Sequence, residues 1–132
     1  MTTNKTFVYE MEVRDYECDM QGIVNNAVYQ NYFEHARHKL LLDCGQDFAE
    51  HTQNGLHLVV VRAEIDYRAP LASGDTFRVV SYIDQKSRLK MRFNQHIERM
   101  SDGKLTTKAV VIATGVQDGR PYIPQFLWDA LL

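Results

Sequence analysis

No stretch of this chain approaches the ~20 consecutive apolar residues that span a bilayer. The N-terminus, Met1 to Lys5, is short and polar and lacks the apolar core of a secretory signal. Both absences predict a cytoplasmic protein without membrane insertion. Cysteine is scarce: Cys18 and Cys44 form neither a metal-ligand spacing nor a disulfide framework, which suits a reducing compartment. His57 and His96 have no carboxylate or cysteine at ligand spacing, so no metal site is expected. Charge imbalance is small. A formal net charge of −2 provides no global attraction to nucleic acid or anionic membrane, and an anionic ligand needs a local basic patch. No repeat, low-complexity tract or linker interrupts the chain, whose 132 residues fit one domain with one core.

What is present is a hydrophobic period that changes along the chain. Phe7, Tyr9, Met11 and Val13 alternate with mostly polar partners and predict a half-buried strand. From about Asn25 to Asp43 the spacing becomes helical. Val28, Tyr29, Tyr32, Phe33, Ala36 and Leu40 share one arc, opposite Gln30, Asn31, Glu34, His35, Arg37 and His38. Asn25 or Asn26 suits the N-cap, and Gly45 the stop. After a polar connection, a β-branched run begins at Leu56 and continues to about Tyr67, with a turn at Pro70 and Gly74. Phe77, Val79, Ser81 and Ile83 alternate in the next strand. Leu89, Met91, Phe93 and Ile97 alternate in another, with Arg88, Lys90 and Arg92 on its other face. Ser101-Asp102-Gly103 signals a hairpin before a last strand from about Leu105 to Val116. Asp118-Gly119-Arg120-Pro121 ends it, and Phe126 to Leu132 predicts a short closing helix. One strand, one long helix and four strands predict an α+β fold, a curved antiparallel five-stranded sheet wrapped around a long central helix.

The chemistry concentrates in Tyr16-Glu17-Cys18-Asp19-Met20-Gln21-Gly22-Ile23-Val24-Asn25-Asn26-Ala27-Val28-Tyr29. Asp19 lies on a tight loop, one glycine turn before the helix. A helix start presents unpaired N–H groups and partial positive charge, which polarise a carbonyl oxygen. A nearby carboxylate attacks that carbonyl or activates water. The pairing points to acyl-group hydrolysis. The plain alternatives are a turn role for Asp19 and capping roles for Asn25 and Asn26.

The element order and the pattern Asp19-x-x-Gly22-x-Val24-Asn25-Asn26-x-x-Tyr29-x-x-Tyr32-x-Glu34-x-Ala36-Arg37 resemble the hotdog-fold acyl-CoA thioesterases of the 4-hydroxybenzoyl-CoA thioesterase type. Glu64 to Asp75 and Asp118 to Pro124 are similar to that family's strand-and-turn and C-terminal signatures. The loop has no histidine: Ile23, Gln21 and Asn26 stand where some relatives have histidine, asparagine and histidine. An Asp–His or Cys–His pair is therefore not assumed.

The resemblance implies a hotdog domain over residues 1–132, with Asp19 as nucleophile or general base and the Asn26 backbone N–H holding the thioester oxygen. Substrate contacts are expected at Gly22, Val24 and Tyr29, although Tyr29, Tyr32 and Phe33 read first as core. Lys86, Arg88 and Lys90, with Arg92, form a cationic face that either meets coenzyme A phosphates or is an ordinary solvated sheet face. Glu34 is a lesser candidate for the base. No cofactor is expected, since coenzyme A belongs to the substrate. The resemblance also implies a homodimer or homotetramer. Two other functions share the fold: hydrolysis of acyl-carrier-protein thioesters, and acyl-CoA binding without turnover.

Overall fold

The computed structural model describes residues 5–132; Met1 to Asn4, part of the polar N-terminus noted above, lie outside the described residues. Strand β1 (Thr6–Glu12) half-buries Phe7, Tyr9 and Met11, and a single 3-10 turn (Asp15–Glu17) follows. Helix α1 (Asn26–Asp43) is capped by Asn25, whose side chain accepts the Ala27 N–H at 3.0 Å. It ends in a Schellman turn. Gly45 takes φ +78°, Gln46 N–H donates to the Leu41 carbonyl, and Gly45 N–H to that of Leu42.

The polar connection predicted after α1 contains a six-residue helix, α2 (Phe48–Gln53). Six residues are too few to display a helical period, but its cap is in the sequence: Asp47 accepts the N–H groups of Ala49 and Glu50. The strands are β2 (Leu56–Tyr67), β3 (Thr76–Ser87), β4 (Lys90–Arg99) and β5 (Leu105–Gln117). A two-residue strand, β6 (Arg120–Pro121), and a short helix, α3 (Gln125–Leu131), complete the chain. The sheet runs β1-β3-β4-β5-β2, antiparallel throughout, and β6 adds to β5.

The core lies between α1 and the inner sheet face, where Tyr32, Phe33 and Ala36 meet Phe77, Val79, Met91 and Ile97. Leu127 and Trp128 of α3 close one end of it. Two residues depart from the predicted arc. Leu41 is buried because the chain after α1 folds back over its end, and Val28 is only half-buried at the helix start. Among the described residues no helix is long and apolar enough to cross a membrane.

Gly115 of β5 is where β6 and the α3 segment fold back most closely. Tyr122 N–H donates to the Gly115 carbonyl at 2.8 Å, and a Cβ at Gly115 collides with the Tyr122 carbonyl. Alanine at an unobstructed strand position gains about 0.5–1 kcal/mol over glycine. Gly115→Ala is instead expected to lose about 1–3 kcal/mol, read by urea unfolding through the fluorescence of buried Trp128; increased stability rules out this close approach.

Candidate active site

The loop before α1 is a small hairpin. Cys18 bridges Val24 in antiparallel fashion. The Glu17 carbonyl accepts the Asn25 N–H at 3.0 Å, and Asp19 N–H donates to the Ile23 carbonyl at 2.8 Å. Met20, Gln21 and Gly22 reverse the chain. Gly22 N–H reaches the Asp19 carbonyl at 3.0 Å, with φ +81° at Gly22, a conformation costing other residues about 1 kcal/mol or more. Asp19 Oδ1 accepts the Gln21 N–H at 2.8 Å, which is an Asx turn. The Asp19 side chain is exposed, and Oδ2 has no protein partner among the described residues. One oxygen holds the turn and the other remains available. Two ladder positions separate Asp19 from the level of Asn25, about 7 Å of extended chain.

At the helix start, Asn25 occupies two of the N–H groups: Ala27 donates to its Oδ1 at 3.0 Å and Val28 to its carbonyl at 2.9 Å. The Asn26 N–H finds no acceptor among the described residues, as expected for a first helical position. Its own carbonyl accepts the Tyr67 hydroxyl at 3.2 Å, and Tyr67 packs edge-on against Tyr29 at 5.4 Å. Tyr29 Oη accepts the Leu71 N–H at 3.3 Å, while the Leu71 carbonyl accepts the Val24 N–H at 2.8 Å. The first turn of α1 is thus fixed to β2 and to the turn after it.

Glu17 is the residue sequence reasoning missed. Its carboxylate is 8% exposed. Oε1 accepts the Arg14 N–H at 2.8 Å and the Tyr32 hydroxyl at 2.9 Å, while the Arg14 guanidinium lies 3.5 Å from Oε2. Burial, reinforced by Glu17, holds the Tyr32 phenol far above the ordinary tyrosine range. A tyrosine on the buried arc needs an acceptor, and that was the available signal. At Cys18, loss of hydration and then the carboxylates of Asp15, Asp19 and Glu17 push the thiol up, which disfavours the thiolate.

Val24 and Tyr29 are 2% and 3% exposed, so their side chains belong to the core. The cationic strand face needs correction. Arg88 sits in the turn between β3 and β4 rather than on a strand. Arg92 is committed to Asp84, which accepts from it at 2.7 and 2.9 Å. Lys86 and Lys90 flank that turn, at the opposite end of the sheet from Tyr67 and Asn26. Seven residues of β4, about 24 Å, separate Lys90 from Ile97, whose partner Thr107 pairs with Tyr67. Glu34 is exposed, lies 3.9 Å from His38, and sits eight residues beyond Asn26.

Two hollows flank α1. A polar groove of about 700 Å³ lies toward β1, lined by Tyr9, Met11, Arg14, Glu17, Asn31 and His35 among others. A more apolar cavity of about 450 Å³ lies toward β2, β4 and β5, lined by Phe33, Leu41, Phe48, Leu58, Ile65 and Phe93, with Gln30 and Arg37. Gln30 is one helical turn from Asn26, which brings the apolar cavity close to the helix start. Tyr29 and Tyr32 do not line it.

Residues 13–131 match the family described as the Thioesterase-like superfamily. A chloroplastic acyl-acyl carrier protein thioesterase of Arabidopsis thaliana is 36% identical over 104 residues, 79% of this chain and 55% of its own length. The chain spans about half the length of the curated plant relatives it matches. A hypothetical protein of Aquifex aeolicus superposes with a TM-score of 0.90 at 30% identity, covering 96% of this chain and 99% of that one. A 1,4-dihydroxy-2-naphthoyl-CoA thioesterase from Synechocystis shares the fold with a TM-score of 0.91 at 23% identity, covering 96% of each chain. The sheet curved around α1 is the hotdog fold of these neighbours, and the chain belongs to the thioesterase-like superfamily.

Proposed function

We propose that this protein hydrolyses acyl-coenzyme A thioesters, releasing free acid and thiol. The observation behind this reading is an amide, Asn26 N–H, and a carboxylate oxygen, Asp19 Oδ2, that have no partner among the described residues and stand about 7 Å apart by ladder position. The thioester carbonyl accepts from the Asn26 N–H, an interaction contributing about 3 kcal/mol at the transition state; the helix dipole adds nearer ~1 kcal/mol. Asp19 then attacks the carbonyl carbon, expelling coenzyme A thiolate and leaving a mixed anhydride that water opens. In the alternative route Asp19 takes a proton from the attacking water, and that proton leaves with the thiolate. No cofactor takes part. Two free thiols, Cys18 and Cys44, fit a reducing cytoplasmic setting.

The assembly we infer is a homodimer paired along β2. That strand is the sheet edge, and Val59, Val60 and Val61 are 42%, 47% and 52% exposed on it. Long apolar edges invite pairing with another strand. An antiparallel partner reverses end for end, so its Lys86–Lys90 turn faces the end of the sheet where Asn26 lies. This arrangement brings cations toward coenzyme A phosphates that the basic turn of the same subunit is too distant to serve.

The plant relative's named substrate supports a second reading, hydrolysis of acyl-carrier-protein thioesters. Free-thiol release from matched coenzyme A and carrier-protein thioesters separates the two. With either donor, Asp19→Asn is expected to lower kcat by about 10²–10⁴ while its urea midpoint stays near wild type; wild-type turnover eliminates both routes. Asn26→Ala, which keeps the backbone amide, is expected to retain activity within a few-fold. Sedimentation of Val61→Lys should show a monomer where the parent protein shows a dimer, and a monomeric parent excludes the β2 pairing.

A further inference from the structure

We propose that Arg37 makes the apolar cavity selective for acyl groups that end in a carboxylate, about eight to nine carbons from the thioester carbonyl. This deepens the thioesterase reading and rests on it. Arg14, Arg62, Arg68, Arg78, Arg92 and Arg99 each face a carboxylate, and Arg88 and Arg120, which have no ion pair among the described residues, are exposed. Arg37 is half-buried, and no carboxylate stands within ion-pair distance of it among the described residues. Its protein contacts are neutral. Nη1 donates to Gln95 Oε1 at 3.1 Å, and the guanidinium lies 5.7 Å from the centre of the Phe93 ring. The position is held firmly, because Gln95 Nε2 donates to Ser81 Oγ at 3.0 Å and to the Phe33 carbonyl at 3.1 Å. Nε and Nη2 have no hydrogen-bond partner among the described residues, and that edge of a guanidinium matches a carboxylate with two parallel hydrogen bonds. Burial works against the charge and draws the Arg37 pKa down, with Glu34 at the cavity rim opposing the shift. An anion delivered along the cavity removes that cost.

The geometry also sets a length. Arg37 lies eleven residues beyond Asn26, about 16 Å along the helix axis. Its side chain leans toward the helix N-terminus, shortening the gap to roughly 10–12 Å. A zigzag hydrocarbon built from ~1.52 Å bonds advances about 1.3 Å per carbon, which returns the eight to nine carbons stated above.

The test compares decanoyl-coenzyme A with the coenzyme A monothioester of decanedioic acid. Wild-type kcat/KM is expected to favour the carboxylate-ended substrate by about tenfold or more. Hexanedioic and tetradecanedioic monothioesters should lose that advantage over their monoacid counterparts. In Arg37→Met the preference should fall to parity or reverse. Equal rates for the decanoyl pair in wild type, or a preference surviving in Arg37→Met, overturns the proposal. The wild-type length series decides the matter alone if the variant fails to fold. Calorimetry with the corresponding non-hydrolysable thioethers separates this inference from the catalytic one. Absence of all hydrolysis overturns the thioesterase reading, whereas tighter binding of the carboxylate-ended thioether still supports the role of Arg37, and equal binding still overturns it.

Discussion

The buried Glu17 carboxylate is the joint that fixes the loop to the helix. It binds the Arg14 N–H at the exit of β1 and the Tyr32 hydroxyl on α1, and its own backbone carbonyl holds the Asn25 N–H. Three segments therefore meet at one residue. Losing one partner of a buried charged group costs about 3–5 kcal/mol, against ~1 kcal/mol for a helix cap. Glu17, more than the Asn25 cap, decides where the loop stands relative to the helix start. Asp19 and Asn26 lie two residues and one residue beyond the ends of this clamp, so their separation is inherited from it.

The clamp also shapes the local field. Asp15, Glu17 and Asp19 crowd one short segment, and their charge adds to loss of hydration in pushing the Cys18 thiol up. The start of α1 supplies the opposing sign. In the mechanism proposed above, a carbonyl oxygen acquiring negative charge is attracted by the helix start and repelled by the carboxylates, which would orient the carbonyl carbon toward Asp19. The loop needs no histidine for this polarity, since the Asn26 donor belongs to the backbone.

Elements with a full period were legible in the sequence. Phe77, Val79, Ser81 and Ile83 alternate and are buried as alternation requires, and the Asn25-to-Gly45 span matches α1 with its cap and stop. What escaped was determined by contacts between distant segments. The inward-facing polar pair of Ser81 and Gln95 exists because α1 brings the Phe33 carbonyl against the sheet. The basic face was overestimated because alternation does not reveal that Arg92 has Asp84 as its cross-strand neighbour, or that Arg88 lies in the turn. At the candidate site, the turn of Asp19 and the start of α1 followed from residue type and spacing. Glu17 did not, because a carboxylate on a loop rich in acidic residues looks solvated until the fold supplies Tyr32.

Strand β2 links the cavity to assembly through one irregularity. Ile65 and Ala63 face the cavity at alternate positions, and continuing that alternation turns Val61 and Val59 inward. The bulge intervenes: Val60 pairs with Ala113 and Arg62 with Ile112, leaving Val61 as the extra residue. Beyond the bulge the inward set shifts by one: Leu58 and Val60 continue the alternate lining, and Val59 between them also borders the cavity at the bend. The Val59-Val60-Val61 run hides this shift, since any register of three valines satisfies the pattern. The same bulge lies on the unpaired edge of the sheet. A partner strand docking there constrains the bulge and, through it, the wall opposite Phe33 and Arg37. The dimer proposed along β2 would therefore act on this cavity directly, without a separate relay through α1.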